Sequence, residues 1–339
     1  MIKKAISIYE ATKKFGWFRY NPKQCEVTLT SRCNAKCIHC YTPSNINKKD
    51  FLEEEIIKQI YTSYQNGARF LTLTGGEPTL FPNLKKIIYF SKKIGYKSIL
   101  LNTNGIKLAN YDYFKSLTDV GLDIVKISLH SNLKDIHEKI LGIKDGFYKT
   151  LKAIENAIKL GIFVEGNCVV TSLNYKTLPE LFEFGAKEFG ISNCAIFFHP
   201  KGNAYLNKEL LKISYSEHIP YLKLALQKLL DYKIMPSCHP LGNYLPCILP
   251  GYEHLIMDWE KDGKINEDLC YIDDENTKTI KEIQLNGRIK TKKCRKCIYF
   301  DKCVGFEKEY FETFGDKEFI PILKKTKPFA LQSFYYPII

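Results

Sequence analysis

The sequence lacks any long hydrophobic run. Across its 339 residues the longest apolar stretches, such as Cys194-Ala195-Ile196-Phe197-Phe198, fall far short of the roughly 20 residues that span a bilayer, so no membrane helix is expected. A secretory core is missing as well: Lys3, Lys4, Lys13 and Lys14 break up Ile2, Ile6, Ile8 and Phe15 between Met1 and Tyr20, and the expected compartment is the cytoplasm. There is no low-complexity segment and no recognisable RNA-binding module. Negative charge is in deficit, with 37 acidic against 50 basic side chains and a net charge of +13. The basic pairs Lys48-Lys49, Lys85-Lys86, Lys92-Lys93 and Lys324-Lys325 are scattered, which describes a solvated surface rather than one patch. A nucleic acid or an acidic peptide would still feel the positive field.

What is abundant is cysteine. Twelve of them in a reducing compartment point to metal ligation rather than disulfides. Three sit in one eight-residue stretch, Cys33-Asn34-Ala35-Lys36-Cys37-Ile38-His39-Cys40. Three thiolates at this spacing can each reach one iron of a cubic iron-sulfur cluster, and since no fourth cysteine follows nearby, one iron is left open to a ligand. The alternatives are a zinc site of three Cys and a His and three unrelated thiols. His39 adjoins Cys40, which makes shared ligation of one ion awkward.

Around this loop the pattern alternates strand and helix. Gln24 to Thr30 places Cys25, Val27 and Leu29 on one face, a strand that delivers the cysteines at its carboxyl end, with Cys25 as a core thiol. A helix follows from about Phe51 to Gln65, with Asp50 as its expected cap and Glu53 three residues on. Further strands are expected at Arg69 to Thr74, Ser98 to Asn102, Asp123 to Leu129, Val164 to Thr171 and Asn193 to Phe198. Helices are expected from Pro82 to Gly95, then near 110–119, 147–160 and 177–189, and a closing helix from Ser216 to Tyr232. Six strands alternating with helices make an α/β fold, a partial (β/α)6 barrel of the TIM type, whose functional groups gather at the carboxyl ends of the strands. Residues 1–22 read as an amphipathic lead-in, with Ile2, Ile6, Tyr9, Phe15 and Trp17 available for packing. The barrel occupies 23–232. Prolines, glycines and cysteines then cluster, which marks a small Cys-rich C-terminal domain over 233–339.

The cysteine spacing resembles the C-x3-C-x-aromatic-C signature of the radical S-adenosylmethionine (radical SAM) enzymes, with His39 in the ring position. Gly75-Gly76-Glu77, after the second strand, resembles their GGE motif, and Asn102-Thr103-Asn104-Gly105 their TNG turn. Ser128, at the end of the fourth strand, is similar to their ribose- or carboxylate-contacting serine. Peptide-modifying relatives read Ser-Leu-Asp-Gly there, whereas this chain reads Ser128-Leu129-His130-Ser131, and a histidine so placed is first a structural group. The resemblance covers about residues 24–200. It implies that Cys33, Cys37 and Cys40 hold a [4Fe-4S] cluster, and that His39, Gly75, Gly76, Glu77, Asn104 and Ser128 bind S-adenosylmethionine. Reductive cleavage of that cofactor would give a 5′-deoxyadenosyl radical, which abstracts hydrogen from a substrate. Reducing equivalents would come from an electron donor such as flavodoxin or ferredoxin.

Cys247, Cys270, Cys294, Cys297 and Cys303 resemble the ligands of the auxiliary-cluster domains called SPASM and twitch. The chain departs from them at three points: x6 precedes Cys270, Glu307 stands where a cysteine is usual, and no cysteine follows Cys303. These five candidates, with Cys238 as a sixth, suit one auxiliary iron-sulfur cluster, expected as [4Fe-4S]; a zinc ribbon is the alternative. Arg288, Lys290, Lys292, Lys293, Arg295 and Lys296 crowd two of them, either as solvated charge or as a field that stabilises an anionic cluster or docks an acidic leader peptide. The auxiliary cysteines favour modification of a ribosomally made peptide by crosslinking, epimerisation or oxidation. An enzyme acting on a small metabolite or cofactor precursor is the alternative, RNA modification is a further one, and a non-catalytic zinc-binding interaction protein stands outside the enzymes altogether.

Overall fold

The computed structural model describes residues 4–7, 10, 24–42, 44–235, 240–256, 270–273, 276–279 and 287–329. Seven parallel strands form one sheet: β1 Gln24–Thr28, β2 Phe70–Thr74, β3 Ser98–Thr103, β4 Ile124–Ser128, β5 Phe163–Val170, β6 Asn193–Phe197 and β7 Leu241–Gly242, hydrogen-bonded in sequence order. The sheet curls into an open half-barrel. The alternation read in β1 holds, since Cys25, Val27 and Leu29 are all fully buried against the helical layer. β7 was not expected. It lies beyond position 233 and pairs Leu241 with Ala195 and Gly242 with Ile196, so the sheet draws on the C-terminal region. Two residues are too few for a period of two to register.

The outer helices are α1 Glu53–Gln65, α2 Leu84–Ile94, α3 Tyr111–Thr118, α4 Lys134–Leu141, α5 Gly146–Leu160, α6 Leu178–Phe184, the short α7 Asn203–Leu206 and α8 Lys208–Leu211, and α9 Tyr215–Asp231. Among the described residues, no helix is long and apolar enough to cross a membrane. α9 starts with a capping box in which Ser214 and Glu217 bond reciprocally, which satisfies two otherwise orphaned amides. The cap expected for α1 is corrected: its N-cap is Leu52, with no side-chain bond. Asp50 instead takes Arg32 Nε and Nη2, each at 2.9 Å, because a two-pronged charged pair is stronger than one bond to an amide. Glu53, Glu54 and Glu55 supply negative charge at the start of α1 in its place.

Ile6 of the lead-in packs on Phe70, Ile124 and Phe163; Ile2, Tyr9, Phe15 and Trp17 lie outside the described residues. After β7 come two antiparallel pairs, β8 Cys270–Asp273 with β9 Asn276–Thr279 and β10 Arg288–Ile289 with β11 Phe306–Glu307. The helix α10, Lys308–Phe314, then packs back on the barrel: Tyr310 Oη accepts from the Tyr215 amide at 2.9 Å, and its ring lies 4.7 Å from that of Tyr215.

Candidate active site at the strand ends

The cysteine loop leaves the carboxyl end of β1 and is held by two elements to which the sequence had assigned no part. The amides of Lys36 and Ile38 donate to Leu141 and Ile140 at the end of α4, at 3.2 and 3.1 Å. The amide of Ala204 and the side chain of Asn203, both in α7, donate to the carbonyls of Cys40 and Cys37 at 3.1 and 3.3 Å. Burial pushes the Cys33 thiol up to about 11, against the Ala35 amide that donates to its sulfur, while the neighbouring Glu77 and Cys40 add to the rise. Cys37 is raised further by burial and then by the charges of Cys40 and Cys33. Cys33 and Cys37 therefore stay protonated until a cation takes them, and Cys40 neighbours them in the same half-buried loop. Among the described residues, no three His, Cys, Asp or Glu side chains close on a single metal ion. His39 points elsewhere, its ring edge-on to His130 at 4.5 Å.

Gly75 and Gly76 allow β2's loop to touch β1's. The amides of Gly76 and Glu77 donate to Thr30 O and Arg32 O, each at 2.7 Å. A Cβ on Gly76 would stand 2.3 Å from Arg32 O, and one on Gly75 2.5 Å from Thr30 O. The close approach that requires these glycines is thus to the cysteine loop itself. Glu77 is 1% exposed. Its Oε1 accepts from Thr79 N at 3.1 Å, Thr79 Oγ1 at 2.5 Å and Thr103 Oγ1 at 2.7 Å, and its Oε2 accepts from Asn104 N at 2.7 Å. With roughly two lone pairs per carboxylate oxygen, Oε2 keeps one position for an outside donor. Burial pushes this carboxyl up, and the four bonds pull it back.

Asn104 carries the connection onward. Its Nδ2 donates to Asn34 Oδ1 inside the cysteine loop at 2.7 Å, its Oδ1 accepts from Ile106 N at 3.0 Å, and its carbonyl accepts from Thr150 Oγ1 in α5 at 3.3 Å. Ser128 is half-buried on the face of β4 opposite Ile127. Thr28 Oγ1 on β1 and Asn102 Oδ1 on β3 are buried without a protein partner, so polar capacity is left over at the strand ends.

His130, read as structural, is one of three buried imidazoles whose rings lie against one another here, His39 and His137 being the others. His130 Nδ1 accepts from Val169 N at 3.3 Å, and its own amide donates to His137 Nδ1 at 3.2 Å. His137 Nε2 lies 3.4 Å from Thr150 Oγ1, so both rings carry their proton on Nε2. Burial lowers His39 and His137 to about 4, and His130 well below its ordinary value. His39 Nδ1 is buried without a partner. His137 shares the buried face of α4 with Ile140 and Leu141, a helical spacing that spans little more than one turn and so is weak as a sequence signal.

In the C-terminal region Cys247, Cys294, Cys297 and Cys303 line one small cavity of about 30 Å³. Burial raises Cys247, followed by the charges of Cys303, Cys297 and Cys294, and burial likewise raises Cys303. Cys270 is described only through the backbone of β8, and Cys238 lies outside the described residues. The basic cluster is partly committed within the fold: Arg288 Nη2 donates to Asn243 Oδ1 at 2.8 Å, and Lys293 pairs with Asp316 at 3.1 Å. Glu307, in the place of the missing cysteine, meets His199 Nδ1 through its Oε1 at 2.7 Å.

Residues 27–185 match the profile of the Radical SAM superfamily. A probable GTP 3′,8-cyclase of Sulfurisphaera tokodaii is 36% identical over 221 residues, 64% of this chain and 68% of that protein. A second, from Saccharolobus islandicus, is 31% identical over 195 residues, 57% of this chain and 60% of that one. Among solved structures, SuiB of Streptococcus suis bound to S-adenosylmethionine is 14% identical with a TM-score of 0.61, over 92% of this chain and 79% of that one. anSMEcpe with bound AdoMet is 21% identical with a TM-score of 0.57, over 87% and 95%. These two likenesses are likenesses of fold.

Proposed function

The chain belongs to the radical SAM superfamily, and from that premise we propose that this enzyme acts on a small nucleotide-type metabolite, a purine nucleoside triphosphate, rather than on a ribosomally made peptide. One observation carries the reading: the 36% identity to a probable GTP 3′,8-cyclase over 64% of the chain. The peptide reading rested on the auxiliary cysteines, and those serve either substrate class.

Cys33, Cys37 and Cys40 fit a [4Fe-4S] cluster as three half-buried, neighbouring thiols without a fourth, and the unpartnered Thr28 Oγ1, Asn102 Oδ1 and His39 Nδ1 fit a polar ligand beside it. Such a site supplies an electron to the sulfonium of S-adenosylmethionine and thereby a 5′-deoxyadenosyl radical. The chain's own residues position and exclude. Glu77 and Asn104 hold the three strand-end loops in register, and the free position on Glu77 Oε2 suits an ammonium group. Uncharged His39, His130 and His137 wall the space without competing for cations. Cys247, Cys294, Cys297 and Cys303 suit a second cluster. Four thiols would leave no iron open, which favours electron transfer or structural support over direct binding of the substrate.

The test is anaerobic turnover of reconstituted, reduced enzyme with S-adenosylmethionine and GTP. Formation of 5′-deoxyadenosine together with a rearranged guanosine triphosphate is expected. If GTP leaves 5′-deoxyadenosine formation unstimulated and is recovered unchanged, the nucleotide reading is lost.

A further inference from the structure

A cavity of about 170 Å³ lies between the end of β6 and α10. That is far more than the roughly 10–15 Å³ one water needs and less than the roughly 300–1,000 Å³ of drug-sized sites, so it suits a ligand of a few heavy atoms. Acids dominate the lining, with four glutamates against Lys208 and Lys212. Two of the four are already matched, Glu209 by Lys212 and Glu312 by Lys308. The other two are incompletely satisfied. Glu307 is 4% exposed, and while His199 Nδ1 and Arg288 Nη2 attend its Oε1 at 2.7 and 3.9 Å, its Oε2 is buried without a partner. Oε2 of Glu309 is likewise buried and unpartnered. A buried carboxylate oxygen left without a donor is costly, so the cavity calls for N–H groups.

The rest of the lining favours an organic cation. Phe198, Tyr205, Tyr310 and Phe314 bring aromatic rings to the same space, and ring faces attract ammonium groups. Tyr205 already does so, with Lys208 Nζ 4.5 Å from its ring centre. Among the described residues, no three His, Cys, Asp or Glu side chains close on a metal ion. An ion with its own N–H groups and carbon atoms, by contrast, meets carboxylates and rings at once. Tyr205 is 49% exposed, which puts the cavity within reach of solvent.

We infer that this cavity binds a small primary ammonium compound, with Glu307 Oε2 and Glu309 Oε2 accepting from its N–H groups and the aromatic rings covering its carbon chain. The site is separate from the thiols and the carboxylate at the strand ends, and the nucleotide reading does not require it. It reaches the cysteine loop at one remove: Tyr205 belongs to α7, whose Ala204 amide donates to Cys40 O at 3.1 Å. An occupied site ties α7, and through it that loop, to α10. Sites built to hydrogen-bond a ligand group reject analogues that lack it.

Calorimetric titration of the reconstituted enzyme with n-butylammonium chloride at fixed ionic strength tests this, with n-butanol as the uncharged analogue of equal chain length. Reductant, S-adenosylmethionine and nucleotide are left out, so the result does not depend on turnover. One saturable site is expected, with n-butylammonium bound about tenfold or more tighter than n-butanol, the value of a hydrogen bond to a charged group. Glu307→Gln should weaken n-butylammonium about tenfold by turning an amide toward its donors. Glu309→Gln, on a less buried side chain, should do the same and guards against misfolding of the first variant. Lys208→Met should leave the site in place, since Lys208 lies over Tyr205 rather than on either carboxylate. Absence of saturation, equal binding of n-butanol, or wild-type affinity in both Gln variants overturns the assignment. Binding confined to Lys208→Met would make Lys208 the occupant of the cavity and overturn it as well.

Discussion

The amide of Asn104 donates to Glu77 Oε2 at 2.7 Å, and the side chain of Asn104 donates to Asn34 Oδ1 at the same distance. One carboxylate on the β2 loop thus fixes the β3 loop, which in turn fixes the cysteine loop. Glu77→Gln should disturb all three, since an amide nitrogen must meet donors from Thr79, Thr103 or Asn104. We expect a loss of about 2–3 kcal/mol in stability, the scale of bonds to a buried charge. S-adenosylmethionine should bind more weakly, with iron at the Cys33, Cys37, Cys40 site retained. Denaturant unfolding, cofactor titration and iron analysis read the three effects. Unchanged stability and affinity would return Gly75-Gly76-Glu77 to an ordinary turn.

Gly76→Ala tests the contact between loops more directly. The new methyl would stand 2.3 Å from Arg32 O and 2.7 Å from Arg32 C, both backbone atoms that move only if the Glu77 N to Arg32 O bond breaks. Overpacking of this kind costs about 1–3 kcal/mol or more. We expect poor retention of iron at the first site as well. Gly315→Ala is the control for iron: nothing lies within 4 Å of its Cβ position, but φ +70° with ψ −156° is glycine backbone, so it should lower the melting temperature through strain of about 1–3 kcal/mol and leave iron content as in the wild type.

The parts of this arrangement that were legible in the sequence are those written in local pattern. β1 announced itself through Cys25, Val27 and Leu29, the six longer strands through their alternation with helices, and the site through three cysteines and two glycines. What stayed hidden depends on contacts between distant segments. Asp50 looked like a cap because Glu53 follows it at the right spacing, but Arg32, 18 residues earlier, holds it instead. The trio of His39, His130 and His137 comes from a loop, a strand end and α4, and no spacing rule joins them. The motif reading gave Glu77 and Asn104 to a cofactor and did not foresee what they touch within the fold, which is each other.

Buried neutral histidines make stability depend on acid. Burial lowers His137 and His218 to about 4 each, against about 6.5 in the unfolded chain. The unfolded state therefore binds more protons between those values. Their contribution is fully present above about pH 6.5 and is lost as pH falls toward 4, with a ceiling of roughly 3 kcal/mol apiece. His218 Nδ1 meets Ser214 O at 2.8 Å, and its Nε2 has no partner, so protonation would leave a buried donor unpaired. His218→Phe, which keeps the ring against Phe197, should flatten the acid limb of the stability profile measured by denaturant unfolding from pH 7 to 4.5. A limb as steep as in the wild type would remove His218 from the account.

The two cysteine groups can be separated by metal analysis, because they lie on different segments with separate thiols. Cys33, Cys37 and Cys40 are placed by β1, α4 and α7, whereas Cys247, Cys294, Cys297 and Cys303 surround their own cavity near β10 and β11. Replacing the first three with Ala should abolish cleavage of S-adenosylmethionine to 5′-deoxyadenosine. It should leave about four irons per chain, the content of one cubic cluster and half of the expected total. Replacing Cys294 and Cys297 should remove the other half and also lower the melting temperature, since metal bound only by the folded chain stabilises it. Zinc without iron in the first variant would discard the auxiliary iron-sulfur cluster. Cleavage persisting in that variant would overturn the assignment of Cys33, Cys37 and Cys40, on which every other role at the strand ends depends.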